Sequence, residues 1–138
     1  MYPGYQGALT DVAGGVKMTH LPGSVVAGSV VVEAVLYGLD PRCSEGSGAT
    51  NGCGIHIHSG DDCADAGTIG GHLYGGESDP WSHVTYDVHG SPASFATGAT
   101  MVPVGMSAED LIGRAFVVHD FDGARIACGY VSPPAVAC

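Results

Sequence analysis

The chain has 138 residues, of which 45% are hydrophobic and only 13% are charged, and its formal net charge is −10. This length fits one globular domain, and the acidic charge disfavours nucleic acid and anionic membranes as partners, because their phosphates would be repelled. No run approaches the roughly 20 apolar residues of a membrane-spanning helix, and 23 glycines, 8 prolines and many valines predict an all-β fold of short strands and tight turns.

The predicted elements follow in chain order. Strand patterns, the first two forming a hairpin, occur at residues 12–18, 28–37, 54–58, 84–88, 114–119 and 125–131. Residues 98–104 lead into a capped helical turn that begins at Ser107, and Asp122-Gly123 predicts the turn between the last two strands. From Ser59 to Pro80 the chain is glycine-rich and polar, and long ordered loops of this kind often carry function.

Five cysteines in so short a chain indicate an oxidising compartment, so we expect a secreted or cell-surface protein. The first seven residues lack the basic and apolar regions of a signal peptide, so we expect that signal to have been removed. Cys43 and Cys53 bracket a glycine- and serine-rich loop and are a plausible local disulfide, although spacing alone does not decide the pairing. A thiolate metal site is the rival interpretation, but the chain has no CxxC motif.

Seven histidines in an acidic chain with a single lysine are the main chemical signal. His56 and His58 alternate with two isoleucines, so the strand is predicted to bury isoleucines on one face and to present two imidazoles on the other. His72 lies in the irregular segment, and His119 ends an apolar strand. Four separated imidazoles could enclose a copper ion in tetragonal geometry. The other three are predicted to be exposed or structural: His20, His83 and His89.

The H-x-H pair alone is a weak signal, because it also occurs in other metal-binding folds, including cupins and carbonic anhydrase. A cupin would have a glutamate a few residues later, where this chain has Asp61-Asp62.

Several motifs together resemble the copper/zinc superoxide dismutases. Gly54-Ile-His-Ile-His58, Gly113-Arg-Ala-Phe-Val-Val-His-Asp120 and Arg125-Ile-Ala-Cys-Gly129 come in the order of that family, with Cys63 and His72 between the first two. The motifs cover about half of the chain, and the layout covers nearly all of it. The resemblance implies a Greek-key β-barrel or sandwich with the metal site on its outer face.

The resemblance also implies roles for individual residues. His72 would stand where the family has its metal-bridging, catalytic histidine, and Arg125 would be the active-site arginine. Cys63 and Cys128 would form the intrasubunit disulfide, which leaves Cys138 unpaired. The implied copper ligands are His56, His58, His72 and His119.

The chain departs from the family in two places. After His72 only His83 and Asp87 remain as late zinc candidates, so the zinc set is incomplete, and only a short turn separates His119 from Arg125, so the charged loop of the family is missing. Both departures resemble the copper-only superoxide dismutases of fungi and oomycetes, particularly tandem-repeat members with a Gly-Gly-His loop followed by Asp-Pro-Trp. We therefore expect one copper per domain, no zinc, a domain at residues 1–131, a tail or inter-repeat linker at 132–138, and neighbouring repeat domains as partners.

The implied activity is dismutation of superoxide to oxygen and hydrogen peroxide at an open copper site, with Arg125 holding the anion. Without zinc, the second nitrogen of His72 needs another partner, and Asp79 is expected to provide it, with Glu77 as the alternative, because Pro80 would rigidify the backbone. A copper-binding module for buffering or delivery is the competing hypothesis, and retention of Arg125 favours the enzyme. A repeat that has lost its metal fits poorly with four intact ligand positions.

Overall fold

The computed structural model describes residues 1–20, 28–90 and 94–133, with only the backbone of His20. Six strands lie in the described residues: β1 (Ala13–His20), β2 (Ser29–Tyr37), β3 (Ile55–Ile57), β4 (Phe95–Pro103), β5 (Ala115–His119) and β6 (Arg125–Tyr130). One short helix, α1 (Ala108–Leu111), and two 3-10 helices, Pro41–Ser44 and Pro80–His83, complete the described secondary structure. None of these helices is long and apolar enough to cross a membrane.

The strands form two antiparallel three-stranded sheets, in the orders β1-β2-β4 and β3-β5-β6. The prediction of an all-β fold is therefore confirmed. The predicted first hairpin is also present, since β1 pairs with β2 along its whole length. Ser107 caps α1 through a reciprocal hydrogen-bond pair with Asp110, as the sequence predicts.

One buried apolar cluster joins the two sheets. In β2 the side chains alternate, so that Val32 and Leu36 are buried while Glu33 is exposed. Ile55 and Ile57 of β3 enter the same cluster from the other sheet. Each such side chain contributes about 1.5–3 kcal/mol when it is fully removed from water. Because β3 directs its isoleucines into this cluster, its histidines face the opposite side of the sheet.

The predicted strand at residues 84–88 is wrong. Thr85 makes only an isolated bridge with Gly54. Val84, Tyr86 and Val88 are buried and alternate with exposed residues, which reproduces the pattern of a strand. Their backbone groups instead bond to separate elements: Tyr86 N donates to Cys53 O, in the loop before β3, at 2.9 Å, and Val88 N donates to Cys43 O, in the first 3-10 helix, at 3.2 Å. No continuous ladder forms.

Two disulfides cross-link the described residues, Cys43–Cys53 and Cys63–Cys128, and both have the expected pairing. The second joins the irregular loop to β6 across a sequence separation of 65. Disulfides indicate an oxidising, extracellular-type environment. Cys138 lies outside the described residues, as does the predicted tail except for Ser132 and Pro133.

Candidate metal centre

Antiparallel pairing of β3 with β5 brings three histidines together. His56 lies within β3, His58 directly follows it, and His119 ends β5. The backbone N–H of His119 donates to Gly54 O at 2.9 Å, and that of His58 donates to Ala115 O at 2.8 Å, so the ladder places all three rings on one side of the sheet. Each of the three residues is 1% exposed.

The three side chains form a group that could hold a metal ion, because their ligand nitrogens lie within 4.8 Å of one another. One buried ring nitrogen of each has no hydrogen-bond partner: His56 Nδ1, His58 Nε2 and His119 Nδ1. Leaving a buried polar atom unpaired costs about 1–3 kcal/mol, so such atoms are rare. Imidazole nitrogen is a common metal ligand, and the donor set therefore fits a bound ion.

Burial keeps these histidines neutral. Burial and, to a smaller extent, the neighbouring histidines together lower the pKa of His56 to about 2. Burial likewise lowers the pKa of His119 to about 3 and that of His58 to about 4. Neutral imidazole is the form that binds a metal, so the pocket holds its ligands in the competent state at pH 7.

The carbonyl of Gly70 determines which nitrogen of His58 is available. His58 Nδ1 lies 3.0 Å from Gly70 O, and because a carbonyl only accepts, Nδ1 carries the proton. The lone pair is then on Nε2, which is the nitrogen without a partner. This contact orients the ring toward the other two histidines.

His72 lies beside this group rather than within it. It forms an isolated bridge with His58, and Leu73 N donates to Ile57 O at 2.8 Å. Its ring centroid is 4.2 Å from that of His56 and 5.1 Å from that of His58. The three-histidine group, in which all ligand nitrogens are mutually close, does not include it. The loop therefore brings His72 to the edge of the cluster.

The expected contact between His72 and Asp79 is present. His72 Nδ1 lies 2.6 Å from Asp79 Oδ2, while Asp79 Oδ1 accepts from Trp81 N at 2.9 Å. The Trp81 ring is fully buried, and its Nε1 donates to Leu73 O at 2.6 Å, which anchors the loop on both sides of the pair. Glu77, the alternative partner, is exposed. With Nδ1 engaged, Nε2 of His72 is the nitrogen left for a metal.

Arg125 lies at the border of the histidine group. Its Nη2 donates to Gly70 O at 2.8 Å and its Nη1 donates to Tyr2 OH at 3.0 Å. After burial, its positive charge is one of the factors that lower the pKa of His58 and of His119. The site therefore combines neutral imidazoles with one nearby fixed cation.

Sequence reasoning missed Tyr2. The backbone N–H of Tyr5 donates to Tyr2 O at 3.2 Å, and Gly4 has φ +80°, so Tyr2-Pro-Gly-Tyr5 is a turn with proline and glycine at the positions that type II turns favour. That motif is readable in the sequence. Its docking beside Arg125 is not, because the two residues are 123 positions apart.

Among the histidines whose side chains the structure describes, His83 and His89 do not belong to the metal-binding group. His83 ends the second 3-10 helix and is exposed, as are Asp87 and His89. The ring of His89 contacts that of Phe95, with centroids 6.3 Å apart. The side chain of His20 lies outside the described residues.

No family model matches the chain, and no curated protein is significantly similar to it. The function must therefore be inferred from the chemistry of the site itself. Converging neutral imidazoles can bind a transition metal, and a guanidinium beside them can bind a small anion.

Proposed function

We propose that this chain is a secreted copper-dependent superoxide dismutase domain that converts superoxide to oxygen and hydrogen peroxide, with one copper and no zinc. The observation that carries the proposal is the convergence of three buried, unpartnered imidazole nitrogens beside the Arg125 guanidinium. Imidazole ligands suit copper. Copper bound there would supply the one-electron couple that oxidises one superoxide to oxygen and reduces the next, which takes up two protons to form hydrogen peroxide.

Four imidazoles would hold the ion. His56, His58 and His119 provide the buried nitrogens, and His72 provides Nε2 from the edge of the cluster. Asp79 accepts a hydrogen bond from His72 Nδ1–H and so fixes the tautomer of His72, as second partners of metal-binding histidines usually do. In this chain a carboxylate would thus orient the histidine that a second metal orients in the zinc-containing enzymes.

Arg125 would bind the superoxide anion. The chain carries a net charge of −10, which repels anions at long range, so an anionic substrate needs a local positive charge. A guanidinium has five N–H donors, and one each on Nη1 and Nη2 is used by Tyr2 and Gly70, which leaves others for the anion. Because this attraction is local, activity should fall only modestly with salt.

The finer fold and context belong to the same proposal. Two antiparallel three-stranded sheets that share one buried cluster support a Greek-key barrel or sandwich of the dismutase type. The two disulfides support secretion, and neighbouring repeat domains are the proposed protein partners. A copper-buffering or delivery module could use the same imidazoles, but it would give Arg125 no role.

The test measures metal content and dismutation on one sample, purified with its disulfides intact and loaded with copper in the presence of competing zinc. We expect one tightly bound copper, no zinc and fast dismutation. Arg125→Ala should lower the rate at least about tenfold, because it removes a charge that holds the reacting anion. Arg114→Ala is the matched control, since Arg114 Nη1 donates to Ser59 O and the residue lies outside the proposed site.

The possible outcomes separate the hypotheses. Copper binding without dismutation would leave the carrier. Failure to bind copper would exclude both the enzyme and the carrier.

A further inference from the structure

The N-terminal turn is docked against the strand that carries Arg125. Tyr2 N donates to Ile126 O at 2.8 Å, so the backbone of Tyr2 is tied to the residue next to the arginine. The Tyr2 side chain packs against a small buried cluster, Ile69, Ala115 and Val117, beside the Cys63–Cys128 disulfide. Backbone and ring are therefore both held in place before the hydroxyl makes any contact.

The hydroxyl of Tyr2 and the carbonyl of Gly70 hold the two terminal nitrogens of one guanidinium. Arg125 Nη1 donates to Tyr2 OH at 3.0 Å, and Nη2 donates to Gly70 O at 2.8 Å. The guanidinium carbon also lies 5.7 Å from the centroid of the Tyr2 ring. Two hydrogen bonds from different nitrogens fix the plane of the group, whereas one would leave it free to swing about the remaining contact.

Both anchors are uncharged, and this distinguishes Arg125 from Arg42. Arg42 Nη2 lies 2.7 Å from Asp40 and 2.8 Å from Asp122, so two carboxylates compensate its charge. Among the described residues, no ion pair involves Arg125. A phenol and a peptide carbonyl orient a guanidinium without neutralising it, which leaves its charge for a ligand.

We propose that Tyr2 is a positioning residue that holds Arg125 in the orientation that binds a small anion at the metal centre. This inference rests on the proposed function in one respect, the assignment of Arg125 as the anion-binding group. The N-terminal turn is then part of the anion-binding site, although it lies far from the histidine motifs in sequence.

The first test uses the metal-free protein and the Tyr2→Phe variant, which keeps the ring and removes only the hydroxyl. The chain has three arginines, Arg42, Arg114 and Arg125, so their side-chain nitrogen signals can be assigned by NMR. We expect rotation and hydrogen exchange of the Arg125 guanidinium to become several-fold faster, with Arg42 and Arg114 unchanged. Tyr5→Phe is the matched control within the same turn and should change none of the three. Unchanged exchange at Arg125 in Tyr2→Phe overturns the proposal.

The second test measures azide binding to the copper-loaded protein from its effect on the copper absorption spectrum. Tyr2→Phe should weaken azide binding several-fold without changing copper affinity, and Tyr2→Ala should weaken it further. Azide affinity equal to that of the unsubstituted protein overturns the proposal even where Arg125 exchange has risen. Failure of the unsubstituted protein to bind copper or to dismutate superoxide counts against the proposed function alone, because the metal-free measurement still decides whether Tyr2 holds Arg125.

Discussion

Asp79 Oδ2 lies 2.6 Å from His72 Nδ1, and the other oxygen of the same carboxylate accepts from Trp81 N at 2.9 Å. One side chain therefore both caps a 3-10 helix and orients the histidine at the edge of the metal centre. The two roles can be separated by substitution.

Asp79→Ala should weaken copper binding about 10–100-fold, the range seen when the second partner of a metal-binding histidine is lost. Asp79→Asn keeps an acceptor for the helix cap. Weaker copper binding in that variant would therefore reflect loss of the carboxylate charge beside His72 rather than an unfolded turn. Competition with a copper chelator measures both. Glu77→Ala is the control on an exposed carboxylate of the same loop. If Asp79→Ala and Asp79→Asn bind copper as tightly as Glu77→Ala does, Asp79 makes no contribution to metal binding.

The metal-free protein should lose stability as the pH falls below about 6.5. The folded-state pKa values of His56, His58 and His119 are about 2, about 4 and about 3, all below the usual 6.5, so the unfolded chain binds more protons in the interval between. Each such histidine steepens the loss toward about 1.4 kcal/mol per pH unit. Urea unfolding at pH 7.5, 6.5, 5.5 and 4.5 measures it.

The same unfolding series on His119→Gln identifies the source of the slope. The variant should show a shallower fall in unfolding free energy between pH 6.5 and 4.5, because one of the low-pKa groups has gone. His83→Gln changes an exposed histidine and should keep the original slope. A slope that is the same in His119→Gln as in the unsubstituted protein would contradict the assignment.

Gly54→Ala should damage the metal centre. A Cβ at this position would collide with the ring of His56 and would lie 2.8 Å from Asn51 O, so the ring must move from its present orientation. We expect copper affinity to fall at least about tenfold, while the disulfides still form. Gly71→Ala is a matched control, because a Cβ there meets nothing within 4 Å. Chelator competition compares the two, and equal affinities would show that the fit at Gly54 does not hold His56.

The two disulfides should differ in their contribution to stability. Chain-entropy estimates for sequence separations of 65 and 10 give about 4 kcal/mol for Cys63–Cys128 and about 3 kcal/mol for Cys43–Cys53. Double replacement of each pair by serine, followed by denaturant unfolding, tests the order. A larger loss from the Cys43–Cys53 replacement would mean that native-state contacts, rather than loop closure, decide the difference.

Local patterns predicted much of this structure. Alternation in residues 54–58 correctly separates the isoleucines from the histidines, because side chains on a strand face opposite sides by geometry alone. The same rule fails at residues 84–88, where the buried Val84 and Tyr86 flank the exposed Thr85 as they would in a strand, while their backbone groups bond to separate elements of the chain. A burial period of two reports which side chains are inside, not whether a neighbouring strand is present.

The parts of the site that could not be predicted depend on long-range contacts. The Tyr-Pro-Gly-Tyr turn is readable from the sequence, but the bond from Arg125 to Tyr2 spans 123 positions and depends on how β6 meets the N-terminus. The bond from Arg125 to Gly70 likewise uses a backbone oxygen, which any residue has. The histidine ligands can be predicted from residue types and motifs. The groups that orient the site, such as the Tyr2 hydroxyl and the Gly70 carbonyl, are known only from the folded structure.

The carbonyl oxygen of Gly70 receives both His58 Nδ1, at 3.0 Å, and Arg125 Nη2, at 2.8 Å. A small rotation of this single peptide group would alter the lone-pair direction of a ligand and the tilt of the guanidinium at once. Metal affinity and anion affinity would then share a coupling free energy, and such coupling is reciprocal: an anion that tightens metal binding must itself be bound more tightly once the metal is present.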